Sequence, residues 1–151
     1  MIQKDFMTLK QATREFKKKF IIKSVKKYNG NVSLTSKKLG ITRNTLIINI
    51  DQLGIHKQIK ELSKHRVKRS KKEIALHTKI YNKNLLLEAA NRFQKRYMIK
   101  ALKITKGNEA KAALLTDVHR NTVINKVSWL GLKGYLNNLR VQRRKARAVS
   151  R

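Results

Sequence analysis

Residues 30–55 read GNVSLTSKKLGITRNTLIINIDQLGI, and the rest of the chain can be placed from them. Ser33 is the expected cap of a short helix over about 33–39, because its hydroxyl can accept from a free N–H of the first turn. Gly40 supplies a tight turn. Thr42 caps a further helix over about 43–53, closed by Gly54, since glycine tolerates the left-handed conformation of a helix end. Leu39, Ile41, Leu46, Ile50 and Leu53 fall where they lock the two helices together. Ile47-Ile48-Asn49-Ile50 is locally β-branched, but the flanking caps favour helix. Upstream, Leu9, Thr13, Phe16, Phe20, Val25 and Tyr28 recur at helical spacing and predict one long helix, roughly 5–28, stopped at Asn29-Gly30.

The same arrangement recurs after a shift of 77 residues. Gly30-Asn31 falls on Gly107-Asn108, Arg43-Asn44-Thr45 on Arg120-Asn121-Thr122, and Leu53-Gly54-Ile55 on Leu130-Gly131-Leu132. Leu9, Ala12, Phe16 and Ile22 meet Leu86, Ala89, Phe93 and Ile99. About fifteen identities fall in this ungapped alignment, more than compositional bias explains. The second copy is expected to hold helices near 84–105, 109–115 and 119–130, with Leu115, Val118, Val123, Val127 and Leu130 as its locking residues. The expected organisation is a first unit over 1–56, a basic helical connector over 57–82, a second unit over 83–134 and a basic tail over 135–151. Connector and tail lie outside the repeat in this reading, and the tail is expected to be disordered on its own.

Charge indicates the partner. The 151 residues carry 38 Lys plus Arg against 8 Asp plus Glu, a formal charge of +30. Such a chain repels itself unless a polyanion neutralises it, and nucleic acid is the commonest polyanion inside cells. With no cysteine, disulfides and thiolate metal sites are excluded. No apolar run reaches the roughly 18 residues of a membrane span, and the N-terminus lacks a signal-peptide core. A cytoplasmic, nucleoid-associated protein of bacterial or phage type is expected.

A short helix, a tight turn and a second helix make a helix-turn-helix. Its second helix fits the DNA major groove while the first braces it. The residues quoted closely resemble the Fis-type helix-turn-helix, the family of the factor for inversion stimulation and of the C-terminal DNA-binding domains of nitrogen-regulator-type enhancer-binding proteins. The first copy fits nearly throughout. The second keeps Gly107-Asn108, Arg120-Asn121-Thr122 and Leu130-Gly131 but has Asp117 for the turn glycine and His119 for the polar cap. The resemblance implies an all-α fold of two tandem Fis-like units, with the long helices building a core and one chain acting as a pseudo-dimer. It further implies double-stranded DNA binding by two recognition helices set into neighbouring major-groove segments, with bending of the DNA.

Residue roles follow from the same resemblance. Arg43 and Arg120 match the arginine that reads a guanine edge, and Thr45 and Thr122 the threonine that meets phosphate. Asn31 and Asn108 begin the bracing helix, where amide and backbone N–H groups face phosphate. Ser33, Thr42, Asn44, Ile48 and Asn49 complete the expected interface of the first unit, and His119, Asn121, Asn125 and Lys126 that of the second. Where Fis carries basic residues, this chain has Ile47, Ile48, Ile124 and Asn125. Ile47 or Ile48 either touches thymine methyl groups or packs against the long helix or a partner. His119 either contacts DNA or simply caps its helix. Lys68, Arg69, Lys71 and Lys72 of the connector and Arg143, Arg144, Lys145 and Arg147 of the tail are expected to contact phosphate, solvated surface being the alternative.

Other chemistries find little support. His56, His65, His77 and His119 are scattered, no acid pair suits catalysis, and the glycines form no phosphate loop. Neither enzyme activity, cofactor, metal nor small-molecule ligand is expected. Asp51 and Glu61 read as solvated ion pairs, and Trp129 as a core residue. The leading alternative is structural RNA binding beside the ribosome. The repeated motif disfavours it, because the A-form major groove does not admit a helix. A homodimer, with four motifs, would suit DNA bridging.

Overall fold

The computed structural model describes residues 6–64 and 84–149. Among these residues all regular structure is α-helical: α1 (Leu9–Lys27), α2 (Val32–Leu39), α3 (Arg43–Leu53), α4 (His56–Lys64), α5 (Leu85–Ile104), α6 (Glu109–Thr116), α7 (Arg120–Trp129) and α8 (Lys133–Val149). None of them is long and apolar enough to cross a membrane. The connector calls Lys68, Arg69, Lys71 and Lys72 fall outside the described residues.

The caps explain most boundaries. Thr8 Oγ1 accepts from Gln11 N–H and Gln11 Oε1 from Thr8 N–H, a reciprocal capping box, so α1 begins at Leu9 and not near residue 5. Asn84 Oδ1 accepts from Leu87 N–H at 2.9 Å and starts α5 in a similar way. Asn31, not Ser33, caps α2, its Oδ1 accepting from Leu34 N–H at 3.0 Å, and Ser33 lies inside the helix. Gly40 (φ 67°) provides the left-handed turn before Thr42. At the turn after α6, Asp117 adopts the same conformation (φ 53°), which a short polar side chain tolerates better than most.

The described residues divide into two compact units, one within Arg14–Ala90 and the other made of the segment up to Thr13 together with the chain from Asn91 onward. Both α1 and α5 therefore begin in one unit and end in the other. The core of the first unit holds Ile21, Val25, Leu39, Leu46, Ile50, Leu53, Ile55 and Ile59, together with Leu86. That of the second holds Met98, Leu102, Ala112, Ala113, Val123, Val127, Leu130, Leu132 and Leu136, together with Leu9. Each such large aliphatic side chain contributes about 1.5–3 kcal/mol by leaving water. The buried turn-and-helix residues are largely the expected ones. On α1 the fully buried residues are Ile21 and Val25; Phe16 and Phe20 are half-buried and stack on each other at 5.8 Å.

Two further expectations fail. The chain from 133 to 149 is not disordered but forms α8, anchored by Leu132 and Leu136 in the core. Its first part is the counterpart of α4: a shift of 77 carries Ile55, Ile59 and Leu62 onto Leu132, Leu136 and Leu139. The helical correspondence between the two halves thus extends to a fourth helix and does not stop at Ile55. Trp129 is not a core residue. It is 61% exposed, because Leu130 turns inward and Trp129 faces solvent.

Candidate nucleic-acid interface

In the first unit α2 and α3 meet through Leu39, Leu46, Ile50 and Leu53, which leaves the start of α3 at the surface. Thr42 holds that start. Its Oγ1 accepts from Thr45 N–H at 3.1 Å and pairs with the Thr45 hydroxyl at 2.8 Å. Arg43, Asn44 and Thr45 follow, all exposed. Arg43 borders a hollow of about 300 Å³ with His56 and Lys60. Ile48 is 53% exposed and lies outside the buried core, whereas Ile47 is half-buried. Asn49 folds back, donating its amide to Thr45 C=O at 2.7 Å. Arg43 is the only cation on α3, and Asp51 near its end pairs with His56.

In the second unit His119 is the N-cap of α7, its Nδ1 accepting from Asn121 N–H at 3.3 Å. Arg120 and Asn121 are exposed and Thr122 is half-buried. Ile124 and Asn125 face solvent. Lys126 is engaged on its own unit: its Nζ donates to Gln94 Oε1 at 2.7 Å and lies 6.0 Å from the centre of the Trp129 ring. Asn108 caps α6 through Lys111 N–H at 3.1 Å, as Asn31 caps α2. The α6 and α7 helices close around Leu115, Val123 and Val127, and Val118 packs against the same core.

No family model matches this chain, and no curated protein or solved structure shows significant similarity to it.

Each unit thus presents an arginine, an asparagine and a threonine from the first turn of a helix whose far side is locked into the core. The positive end of each helix dipole lies at that same turn. Such an edge offers donors to anions and to the acceptor-rich edge of guanine. The described residues contain no group of three metal-ligating side chains.

Sequence reasoning did not single out Lys106 and Lys111. Both are exposed and border a hollow of about 800 Å³ with Arg143, Arg144 and Arg147 of α8. Lys145, on the same helix, is exposed and is not among its lining residues. The signal lay in the spacing, since Lys111 stands three residues after the cap Asn108 and Lys106 immediately before Gly107. Without knowledge that the tail is helical, nothing in the sequence joined these lysines to the distant arginines.

Proposed function

We propose that this protein binds double-stranded DNA through two Fis-like helix-turn-helix units, with α3 and α7 as recognition helices in neighbouring major-groove segments. The observation that carries the reading is the Arg-Asn-Thr triplet at the start of both helices, with Arg43, Asn44 and Thr45 exposed in the first, and Arg120 and Asn121 exposed beside a half-buried Thr122 in the second. The formal charge of +30 supports it, because phosphate neutralisation would relieve the self-repulsion of the chain. A nucleoid-associated or transcription-regulating role, with bending of the DNA, fits two recognition helices on one chain.

One chain would supply what a Fis-type dimer supplies with two subunits. The reciprocal sharing of long-helix starts supports this: Leu9 sits in the core of the second unit and its counterpart Leu86 in that of the first. Light scattering should return a monomer in solution, and a stable dimer would overturn the single-chain version.

The decisive experiment is binding to labelled duplex DNA and to duplex RNA of the same sequence across a salt series. DNA should win at every salt concentration. If six to ten phosphates are neutralised, affinity should fall by a factor on the order of a thousand or more between about 50 and 200 mM salt. Equal or tighter RNA binding, or a flat salt response, would sink the proposal. Selection of bound sequences from a random pool then reads base preference and half-site spacing.

A further inference from the structure

α8 turns a run of basic residues into one wall of a hollow. The opposite wall is the turn between α5 and α6 and the start of α6. Lys106, Lys111, Arg143, Arg144 and Arg147 line this hollow of about 800 Å³, with Thr105, Asn108 and two alanines between them and no acid among the described residues. The nearest carboxylate in the sequence, Glu109, is already committed to Arg140 at 2.7 Å. Among the described residues no carboxylate is left to offset the five lining cations in this wall.

Two further features mark the hollow as built for anions. Arg143 Nε is buried and makes no hydrogen bond, a donor that an incoming anion would satisfy. The positive end of α6 opens beside Asn108, whose side chain occupies only the Lys111 N–H. The volume is within the range of small-ligand pockets, but those are mostly apolar, and this lining is cationic. Arg143 and Arg147 stand four residues apart on one helix face, about 6 Å along its axis, which suits a row of charges better than a single one.

We propose that this hollow is a backbone-phosphate site, holding adjacent phosphodiester groups of duplex DNA independently of base identity. It rests on the reading of the chain as a DNA binder and adds a second anchorage beside the recognition helix of the same unit. The first unit is built differently at the matching turn, where Asn29 and Leu34 stand in place of Lys106 and Lys111. The second unit is accordingly the stronger phosphate holder at this turn.

The test is the salt dependence of DNA binding for the full chain carrying Arg143→Ala, Arg144→Ala and Arg147→Ala together. Loss of three phosphate contacts lowers the slope of log affinity against log salt by about 2.7. Between about 50 and 200 mM salt the variant should then lose roughly 40-fold less affinity than the parent. The matching triple lysine variant should keep the parent slope. Removal of three exposed lysines on α1 (Lys19, Lys23 and Lys26) should change it by less than half as much. An unchanged slope in the alanine variant, or an equal fall in the α1 control, overturns the proposal. Should the triple variant lose its helical circular dichroism, Lys106→Ala with Lys111→Ala takes its place, with an expected slope change of about 1.8.

Tripolyphosphate serves as the free-phosphate probe. If the alanine variants lose tripolyphosphate binding while keeping the DNA slope, the hollow serves a free anion and the DNA assignment fails. Arg120→Ala separates this site from the recognition helix: it should alter base preference and leave the tripolyphosphate response intact. A fall in slope without any effect of Arg120→Ala on base preference would overturn the recognition-helix reading and leave the hollow standing.

Discussion

Arg140 Nη2 donates to Glu109 Oε2 across 2.7 Å and so ties α8 to the first turn of α6. The carboxylate is only 12% exposed and the guanidinium 41%, so the pair lies between a solvated bridge and a buried one. Glu109 also faces the positive end of its own helix, where an acid is favoured. Glu109→Gln keeps the shape, removes the charge and leaves the cation beside that positive end. We expect a loss of about 1–2 kcal/mol, between the values for exposed and buried pairs. It should appear as a lower urea midpoint at unchanged m-value, with reduced hydrogen-exchange protection in α8. An unmoved midpoint would mean that Leu132 and Leu136 alone hold the helix.

The packing of α4 and α8 on the loop glycines gives a ranked prediction. A Cβ at Gly30, where φ is +72°, would fall 2.3 Å from Leu62 O and 2.5 Å from Ser63 Cα, backbone atoms that cannot move aside. At Gly107 the nearest atom is Leu139 Cβ at 3.1 Å, and at Gly54 nothing lies within 4 Å. Gly54→Ala should therefore cost only the left-handed strain, about 1–2 kcal/mol. Gly30→Ala adds overpacking and should cost about 2–5 kcal/mol in total, with Gly107→Ala between them. Melting temperatures in the order Gly30→Ala, Gly107→Ala, Gly54→Ala, lowest first, check this. Equal melting of the first and last would show that α4 is not seated on Gly30.

How much of this was legible in the sequence depends on the range of the signal. Thr42, Gly40 and Gly54 act within one turn, and they placed α3 at Arg43–Leu53 as observed. Start signals are there for α1 as well, in Thr8 and Gln11, a few residues inside the span that apolar spacing alone marks. The Asn31 amide, expected toward phosphate, caps α2 in place of Ser33. Trp129 shows the limit of spacing arguments, because one residue of rotation on a helix exchanges inside for outside. The helical connector is expected, but its counterpart in the tail is hidden by that segment's charges, although Ile59 and Leu136 stand at matching positions. The placement of Leu9 in the core that holds Met98 is non-local, and no pattern along the chain announces it.

Tyr97 gives a pH prediction. Its hydroxyl donates to Met7 C=O, and burial pushes its pKa up from 10.0 to about 12. The folded state therefore keeps the phenolic proton after the unfolded chain has lost it. This contribution to stability is complete below pH 10 and is lost as pH rises from about 10 to about 12. Lysines deprotonate in the same range, so the useful quantity is the difference between the parent and Tyr97→Phe. That difference should be constant below pH 10 and shift in favour of the variant above it. A difference that stays flat to pH 12 would mean that the hydroxyl is solvated in the fold.

The α3 and α7 helices present different side chains at one equivalent place. A shift of 77 carries Ile48 onto Asn125, and both face solvent beyond the Arg-Asn-Thr turn. An isoleucine favours a thymine methyl group, whereas an asparagine pairs best with adenine. Identical arginines at Arg43 and Arg120 would then flank different base contacts, so the selected DNA site should not be palindromic. Arg43→Ala and Arg120→Ala should each cost about 1–3 kcal/mol at that site and relax one base position, in opposite halves of it. Ile48→Asn should move the preference of the first half towards that of the second. If both arginine variants weaken binding to random DNA as much as to the selected site, the arginines hold phosphate and the base preference lies elsewhere on α3 and α7.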